Sequence, residues 1–376
     1  MSFLKKLSYT TATAVLAAMA STAAVHAQVT TTEVRGSVVD ASGAPISGAT
    51  VQVIHQPTGT SSTTTTGQSG TFSARGLRPG GPYIVVATAS GYQGGQAEDL
   101  YPQLGNPLSV NIALESGAGD TIVVTGSRLV TADVAVGPSA VFDAADLANS
   151  PAINRDLKDI VRLDPRVYLD ESFNDSIQCA GAHPRFNSLT VDGIGLNDGF
   201  GLNSNGYPTE RMPFPYDAIN QVSVELAPFD VQYGGFTACN INAVTRSGTN
   251  ELTGSAFFDY TDDDFQGADA APFDEQRYGF SVGGPIIQDR LFFHGSYERF
   301  EGVNQFFRGP EGSGATNPVI GFTQAEYNQI LNIVQNVYGY NPGGIPQNAA
   351  AIYEKYLLRL DWNITNDHRA SLTYNF

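Results

Sequence analysis

Residues able to do bond chemistry are few in this chain, and their spacing does not suit it. Beyond the first 27 positions the histidines are His55, His183, His294 and His368, and none opens an H-E-x-x-H or H-x-x-E run. A zinc site needs three or four nitrogen, sulfur or carboxylate ligands converging on one ion, and no spacing here supplies them. These imidazoles read as surface or packing residues. No G-x-S-x-G nucleophile turn occurs either, so no catalytic residue is nominated, no metal site is expected and no cofactor is implied. The run Asp262-Asp263-Asp264-Phe265-Gln266-Gly267 starts like a calcium loop. Its twelfth position is Phe273, where that loop needs a bidentate acid, and Gln266 is a weak fifth ligand, so a solvated loop is the better reading. Cys179 and Cys239 are the two cysteines. With no further cysteine beside a histidine they do not make a Cys/His zinc site; they form either a disulfide or two buried thiols.

The compartment bears on that choice. Lys5 and Lys6, the apolar stretch Ala12–Ala20 and the small residue closing Val25-His26-Ala27 form a secretory signal over residues 1–27, so the mature chain starts at Gln28 outside the cytoplasm. In an oxidising compartment a lone cysteine pair is expected to bridge, which for a loop of this size stabilises by roughly 4 kcal/mol in the chain-entropy model. The net charge is −17, with 20 Lys and Arg against 37 Asp and Glu, the opposite of a nucleic-acid footprint. A length of 376 residues accommodates two or three domains, and no apolar run reaches the ~20 residues of a membrane-spanning helix. Forty glycines with 21 Phe and 17 Tyr suit a mostly β protein rich in turns.

Binding chemistry concentrates in Asp120-Thr121-Ile122-Val123-Val124-Thr125-Gly126-Ser127-Arg128. The run Thr121–Thr125 has high β-propensity, with Gly117-Ala118-Gly119 before it and Gly126-Ser127 after it. No hairpin partner adjoins it, so its backbone donors and acceptors are expected to be unmet. Such a strand is available to another protein's sheet edge, the mode called β-augmentation. An ordinary strand of a neighbouring domain is the alternative on local pattern.

The flanking elements differ in character. Across 32–116, short strands at Val34–Asp40, Ala49–Ile54, Gly70–Ala74, Tyr83–Ala87 and Ser109–Leu114 alternate with glycine and proline turns and a polar tract, Thr60–Thr66. That spacing indicates a β-sandwich. Across 136–250, Leu157, Ile160 and Val161 share one face of a helix within 154–163, stopped by Pro165, with its charges opposite. Strands follow at Ser188–Ile194, Ile219–Glu225 and Asn240–Arg246. From 252 to 376 the residues alternate with period two: Leu291, Phe293 and Tyr297 oppose His294, Ser296 and Glu298, and Tyr356, Leu358, Leu360 and Trp362 oppose Arg359 and Asp361. A soluble sandwich also alternates. Short turns, Gly284–Arg290 and Thr365–His368, alternate here with longer loops, Thr261–Gln276 and Glu301–Ile352, which is the outer-membrane barrel pattern. Within the longest loop Thr323 and Glu326 form a capping box ahead of Ile330, Leu331, Val334 and Val337, whose apolar stripe is expected to serve packing.

Several motifs carry a family resemblance. Gly36, Gly43-Ala44-Pro45, Gly48-Ala49, Gly70-Thr71-Phe72, Pro79-Gly80 and Gly91-Tyr92 resemble the carboxypeptidase regulatory-like domain, a non-catalytic sandwich, with a departure at Gly67, where an acid is common. The 120–128 stretch resembles the TonB box of TonB-dependent outer-membrane receptors. Val191-Asp192-Gly193 with Asn197-Asp198, Ile219–Glu225, and Tyr233-Gly234-Gly235 with Ile241–Arg246 resemble their plug domain, most nearly in the Oar-like branch. Asn220 and Ser223 stand where many relatives carry acids, which puts any acid lock between plug and barrel in doubt. The resemblance implies a signal peptide at 1–27, a periplasmic sandwich at 28–117, box and linker at 118–135, an α+β plug at 136–250 and an incomplete antiparallel barrel at 251–376. It implies TonB as partner at Asp120, Thr121, Ile122, Val123, Val124 and Thr125, with outer-membrane lipid and an unidentified extracellular ligand as further partners. Barrels of such transporters use about 22 strands, so the chain is expected to be the first part of a longer receptor. A surface structural or adhesion protein on the same scaffold, transporting nothing, is the rival reading.

Overall fold

The computed structural model describes residues 29–376 except 118–121, 125, 129–137, 174, 204, 210, 229–232, 266–272, 306–307, 316, 346–347 and 366–367. The expected signal peptide lies outside the described residues, as do Asp120, Thr121 and Thr125. Two compact units form: residues 1–212, 219–246 and 363–369 in one, and 213–218, 247–362 and 370–376 in the other.

The first unit opens with β1 (Thr32–Asp40), β2 (Thr50–His55), β3 (Thr60–Thr65), β4 (Thr71–Leu77), β5 (Tyr83–Thr88), β6 (Gly94–Leu100), β7 (Leu108–Leu114), β8 (Ile122–Val124) and β9 (Gly126–Arg128). They make two sheets, ordered β4-β1-β7-β9 and β3-β2-β5-β6-β8. Alternation fills the space between them: Leu108, Val110, Ile112 and Leu114 of β7 are buried with Val34, Val38, Val51, Val53, Phe72 and Val85. Gly36 lets β1 and β7 lie close, since a Cβ there would sit 1.8 Å from the Val110 carbonyl oxygen. The tract Thr60–Thr66, which has no apolar alternation, is largely strand β3, because β2 pairs along it from Thr50↔Thr65 to His55↔Thr60.

One expectation is corrected here. The 122–128 run is not unpartnered. Ile122, Val123 and Val124 pair in parallel with Gly94, Gly95 and Gln96 of β6. Gly126, Ser127 and Arg128 pair antiparallel with Ile112, Asn111 and Val110 of β7. The physical reason is non-local. Without this run β6 and β7 would each end a sheet of the sandwich, and their open backbone groups are met by the chain that follows.

Next come β10 (Ser139–Phe142), α1 (Ala144–Asn149), α2 (Leu157–Val161), β11 (Val167–Asp170), β12 (Ser176–Cys179), β13 (Ser188–Val191), β14 (Ile194–Gly195), β15 (Ile219–Leu226) and β16 (Cys239–Thr245). The sheet order is β10-β15-β16-β13-β14, with β11 and β12 as a separate hairpin. Both helices pack on β15. Asp143 and Asp156 cap them, each in a capping box with the acid three residues on. Helix α2 is shorter than the periodicity suggests, and Lys158 and Asp159 are buried rather than solvated. The Asp159 carboxylate is tolerated there because it accepts the Asn154 N–H at 2.9 Å.

The second unit contains β17 (Thr253–Asp262), β18 (Asp274–Ile287), β19 (Leu291–Gln305), β20 (Arg308–Glu311), β21 (Asn317–Thr323), α3 (Gln324–Asn336), β22 (Asn348–Asn363) and β23 (Arg369–Asn375). Its main sheet runs β17-β18-β19-β22-β23 in a meander. β18, β19 and β22 span 14, 15 and 16 residues, beyond the ~9–11 that a tilted strand needs to cross a bilayer. The connection after β19 carries the β20-β21 pair and α3. Thr323 caps α3 in the expected box with Glu326. The stripe of α3 packs only in part: the helix touches β20 and β21 with Leu331 and Val334 half-buried, while Ile330 and Val337 face solvent.

Candidate partner-binding strand

Ile122, Val123 and Val124 form the outermost strand of their sheet, so β6 takes one edge of β8 and the other borders no strand among the described residues. β9, which starts at Gly126, belongs to the other sheet. The segment therefore closes one side of the sandwich by lying along both of its edges. Leading into it, Gln93 donates to the Glu115 carbonyl at 2.9 Å and Gly117 to that of Gly91 at 3.1 Å. The backbone of 115–117 thus runs beside 91–93 and delivers the strand to β6.

The cysteines tie the β11-β12 hairpin to the five-stranded sheet. Cys179 on β12 and Cys239 on β16 are joined as a disulfide with a Cα–Cα distance of 5.9 Å, and both are buried. Nearby motifs explain themselves as local devices. Asp192 and Gly193, at φ 48° and 81°, make the two-residue turn between β13 and β14, the D-G turn expected of a tight hairpin. The Asp192 carboxylate then accepts the Thr245 N–H at 2.9 Å and its hydroxyl at 2.6 Å, which pins the end of β16. Asn197 accepts from Leu189 N at 2.9 Å and donates to the Asn187 carbonyl at 2.7 Å. Asp198 accepts from the backbone of Phe200, Gly201 and Asn203, which holds its carboxyl below the usual range. Glu225 is buried, and burial pushes its carboxyl up, although Tyr233 donates to it at 3.0 Å. Of the doubtful lock positions, Asn220 donates instead to the Pro79 carbonyl at 3.1 Å, and Ser223 is buried.

The second unit wears its polarity inside out. On the exposed face stand Phe258 at 64%, Leu358 at 58% and Leu372 at 66% accessibility, while Glu298 and Lys355 are at 2% and 6%. Phe280, Tyr297, Tyr356 and Phe376 form a ladder on the outer face with ring centroids 5.7, 5.1 and 5.8 Å apart. On the inner face Lys355 Nζ lies 3.0 Å from Glu298 Oε1, and Glu298 Oε2 accepts the Tyr216 N–H at 3.2 Å. The alternation marked Glu298 as inward, but nothing in the sequence named Tyr216 or Lys355 as its partners. An apolar outside over a hydrogen-bonded polar inside is the arrangement a bilayer selects in a β-barrel. Among the described residues no helix is long and apolar enough to cross a membrane, and no cluster of metal-ligating side chains occurs.

Comparison with known proteins agrees with this division. Residues 33–115 match the carboxypeptidase regulatory-like domain, and residues 244–306 match the outer membrane beta barrel domain. The chain is 28% identical over 138 residues to the TonB-dependent transporter Oar of Myxococcus xanthus, covering 33% of this chain and 12% of Oar. It is 31% identical over 198 residues to an Acinetobacter baumannii protein named "Probable TonB-dependent siderophore receptor PirA", covering 48% of this chain and 25% of that one. The solved siderophore receptor PirA from Acinetobacter baumannii superposes with a TM-score of 0.44 at 20% identity, over 63% of this chain and 31% of that chain. PirA from Pseudomonas aeruginosa gives 0.41 at 17% identity, over 63% and 34%. The sandwich and the inverted polarity of the long-stranded sheet thus belong to an outer-membrane β-barrel protein carrying an N-terminal sandwich domain. In its matched domains and in the relatives it aligns with, the chain is similar to Oar-like TonB-dependent receptors. The chain spans 12% and 25% of the lengths of the two curated relatives.

Proposed function

We propose that this chain supplies the sandwich, TonB box, plug and barrel strands of a receptor that imports a ligand across the outer membrane. In this reading a leader at 1–27 is removed on export, the sandwich at 28–117 and the box and linker at 118–135 lie in the periplasm, the plug occupies 136–250 and the barrel strands 251–376. TonB pairs with Asp120–Thr125 by strand addition, where main-chain hydrogen bonds supply much of the affinity. The observation that carries this reading is the placement of Ile122–Val124 as an edge strand, a backbone already extended and at the rim of its sheet. Ligand arriving from outside binds two plug states with different affinity, since equal affinity would signal nothing. No bond is made or broken, so the chain acts as a transporter and not as an enzyme, with lipid against the aromatic outer face. A siderophore receptor among the relatives makes ferric siderophores the first ligands to try.

The test is Val124→Pro, built into the complete receptor. Proline removes one donor and fixes φ, so energised uptake is lost while ligand binding to whole cells is kept, and Val124→Ala is milder. Unchanged uptake in the proline variant would favour the rival, a surface protein that transports nothing.

A further inference from the structure

The connections β4–β5 and β6–β7 lie side by side at one end of the sandwich, with the Gly80 N–H donating to the Pro102 carbonyl at 2.9 Å. Both reach β15. Asn220 donates to the Pro79 carbonyl at 3.1 Å, and Gln221 accepts the Leu104 N–H at 3.2 Å. Neighbours in an unbroken strand point to opposite faces. Here Ile219 opposes Thr245 and Gln221 opposes Val244, so Asn220 is an extra residue, a bulge that re-aims its side chain. Leu104 and Gln221 are each only 1% exposed, although Leu104 stands outside the cluster that fills the sandwich. Gly105 follows, and a Cβ there would sit 2.8 Å from Glu225 Oε1, so the turn approaches β15 closely at a second point.

We infer that these two turns are a clasp on β15: the sandwich holds the β10-β15-β16-β13-β14 sheet in its resting arrangement, and that hold keeps the receptor sealed between transport events. The second half rests on the reading of 136–250 as the plug. Asn220 stands where many relatives carry an acid. An ionised acid only accepts hydrogen bonds and cannot donate to the Pro79 carbonyl, so the amide is what turns this strand toward the sandwich. Opening the clasp strips the buried Leu104 N–H of its acceptor, which disfavours the released state. The balance then tips only when an input favours the released arrangement by more than that loss.

The experiment compares exported wild-type chain in detergent with two variants. Asn220→Asp removes the donor at nearly constant volume, and Leu104→Glu puts a charge into the buried contact from the sandwich side. Hydrogen exchange is read at Val222, Val224 and Ile241 of the clasped sheet and at Val110 and Ile112 of the sandwich core. In both variants exchange at the first group should rise roughly tenfold, as loss of one buried hydrogen bond predicts, with the second group almost unchanged. Wild-type rates at both groups overturn the clasp. An equal rise at both groups also overturns it, since sandwich and sheet would then open as one folding unit. In the complete receptor, Asn220→Asp should also increase entry of a large hydrophilic antibiotic into cells lacking TonB by roughly the same factor. Raised exchange without that leak overturns the seal, and with it the plug reading of this sheet, while the clasp itself stands.

Discussion

The bridge between Cys179 and Cys239 is open to a quantitative test. It joins β12 to β16 across a sequence separation of 60. Closing a loop of that length removes chain entropy from the unfolded ensemble worth about 4 kcal/mol at 25 °C. Since about 1.4 kcal/mol is a factor of ten, opening of this sheet should become roughly a thousandfold easier once the bond is cut. The perturbation is reduction of the wild-type chain, because it leaves every other contact unchanged; a Cys179→Ala, Cys239→Ala variant also loses buried sulfur packing. The assay is hydrogen exchange at amides of the central strands β15 and β16, such as Val222, Val224 and Ile241, which reports the opening equilibrium. Alkylation of exported chain without reductant should label no thiol. A change in protection below tenfold, or two labelled thiols, would refute the account.

Three further outcomes follow from the geometry. His55 is buried against Tyr83 and accepts or donates to Thr58 at 2.7 Å; burial first, then the Arg78 cation, push its imidazole down to about 3. The unfolded chain therefore binds the extra proton between about pH 6.5 and pH 3, and sandwich stability falls as pH falls through that window. Between pH 6.5 and 5 the loss is about 2 kcal/mol, read from denaturant unfolding, and His55→Gln should flatten that slope. Lys355→Met leaves Glu298 buried without its ammonium and should cost about 3–5 kcal/mol, whereas Lys355→Met with Glu298→Leu should be milder; protease resistance of the β19–β22 region separates the two. The sandwich expressed as 28–128 should unfold at higher denaturant than 28–117, by about 1–3 kcal/mol, because only the longer segment contains β8 and β9. Equal midpoints would count against that pairing.

Most of the architecture was legible from local pattern. Alternation in β7 and in the long strands of the second unit depends on side chains two residues apart, and the Thr323–Glu326 cap and the Asp192-Gly193 turn depend on spans of two to four. Where pattern failed, the deciding contact was one the side-chain alternation does not encode. Strand β3 carries no apolar alternation and becomes a strand because β2 lies beside it. Lys158 and Asp159 read as solvent-facing, yet packing on β15 and the Asn154 N–H bring them inside.

The strand at 122–128 divides the two kinds of information most clearly. Its extended backbone is written in Ile122, Val123 and Val124, whose branched side chains favour a pleated strand wherever they are placed. Its partner is not written there at all. Main-chain donors and acceptors are the same for every residue but proline, so a sequence cannot say which edge will take them. That was decided only when the fold left β6 and β7 at the open side of the sandwich, within reach of the chain that follows.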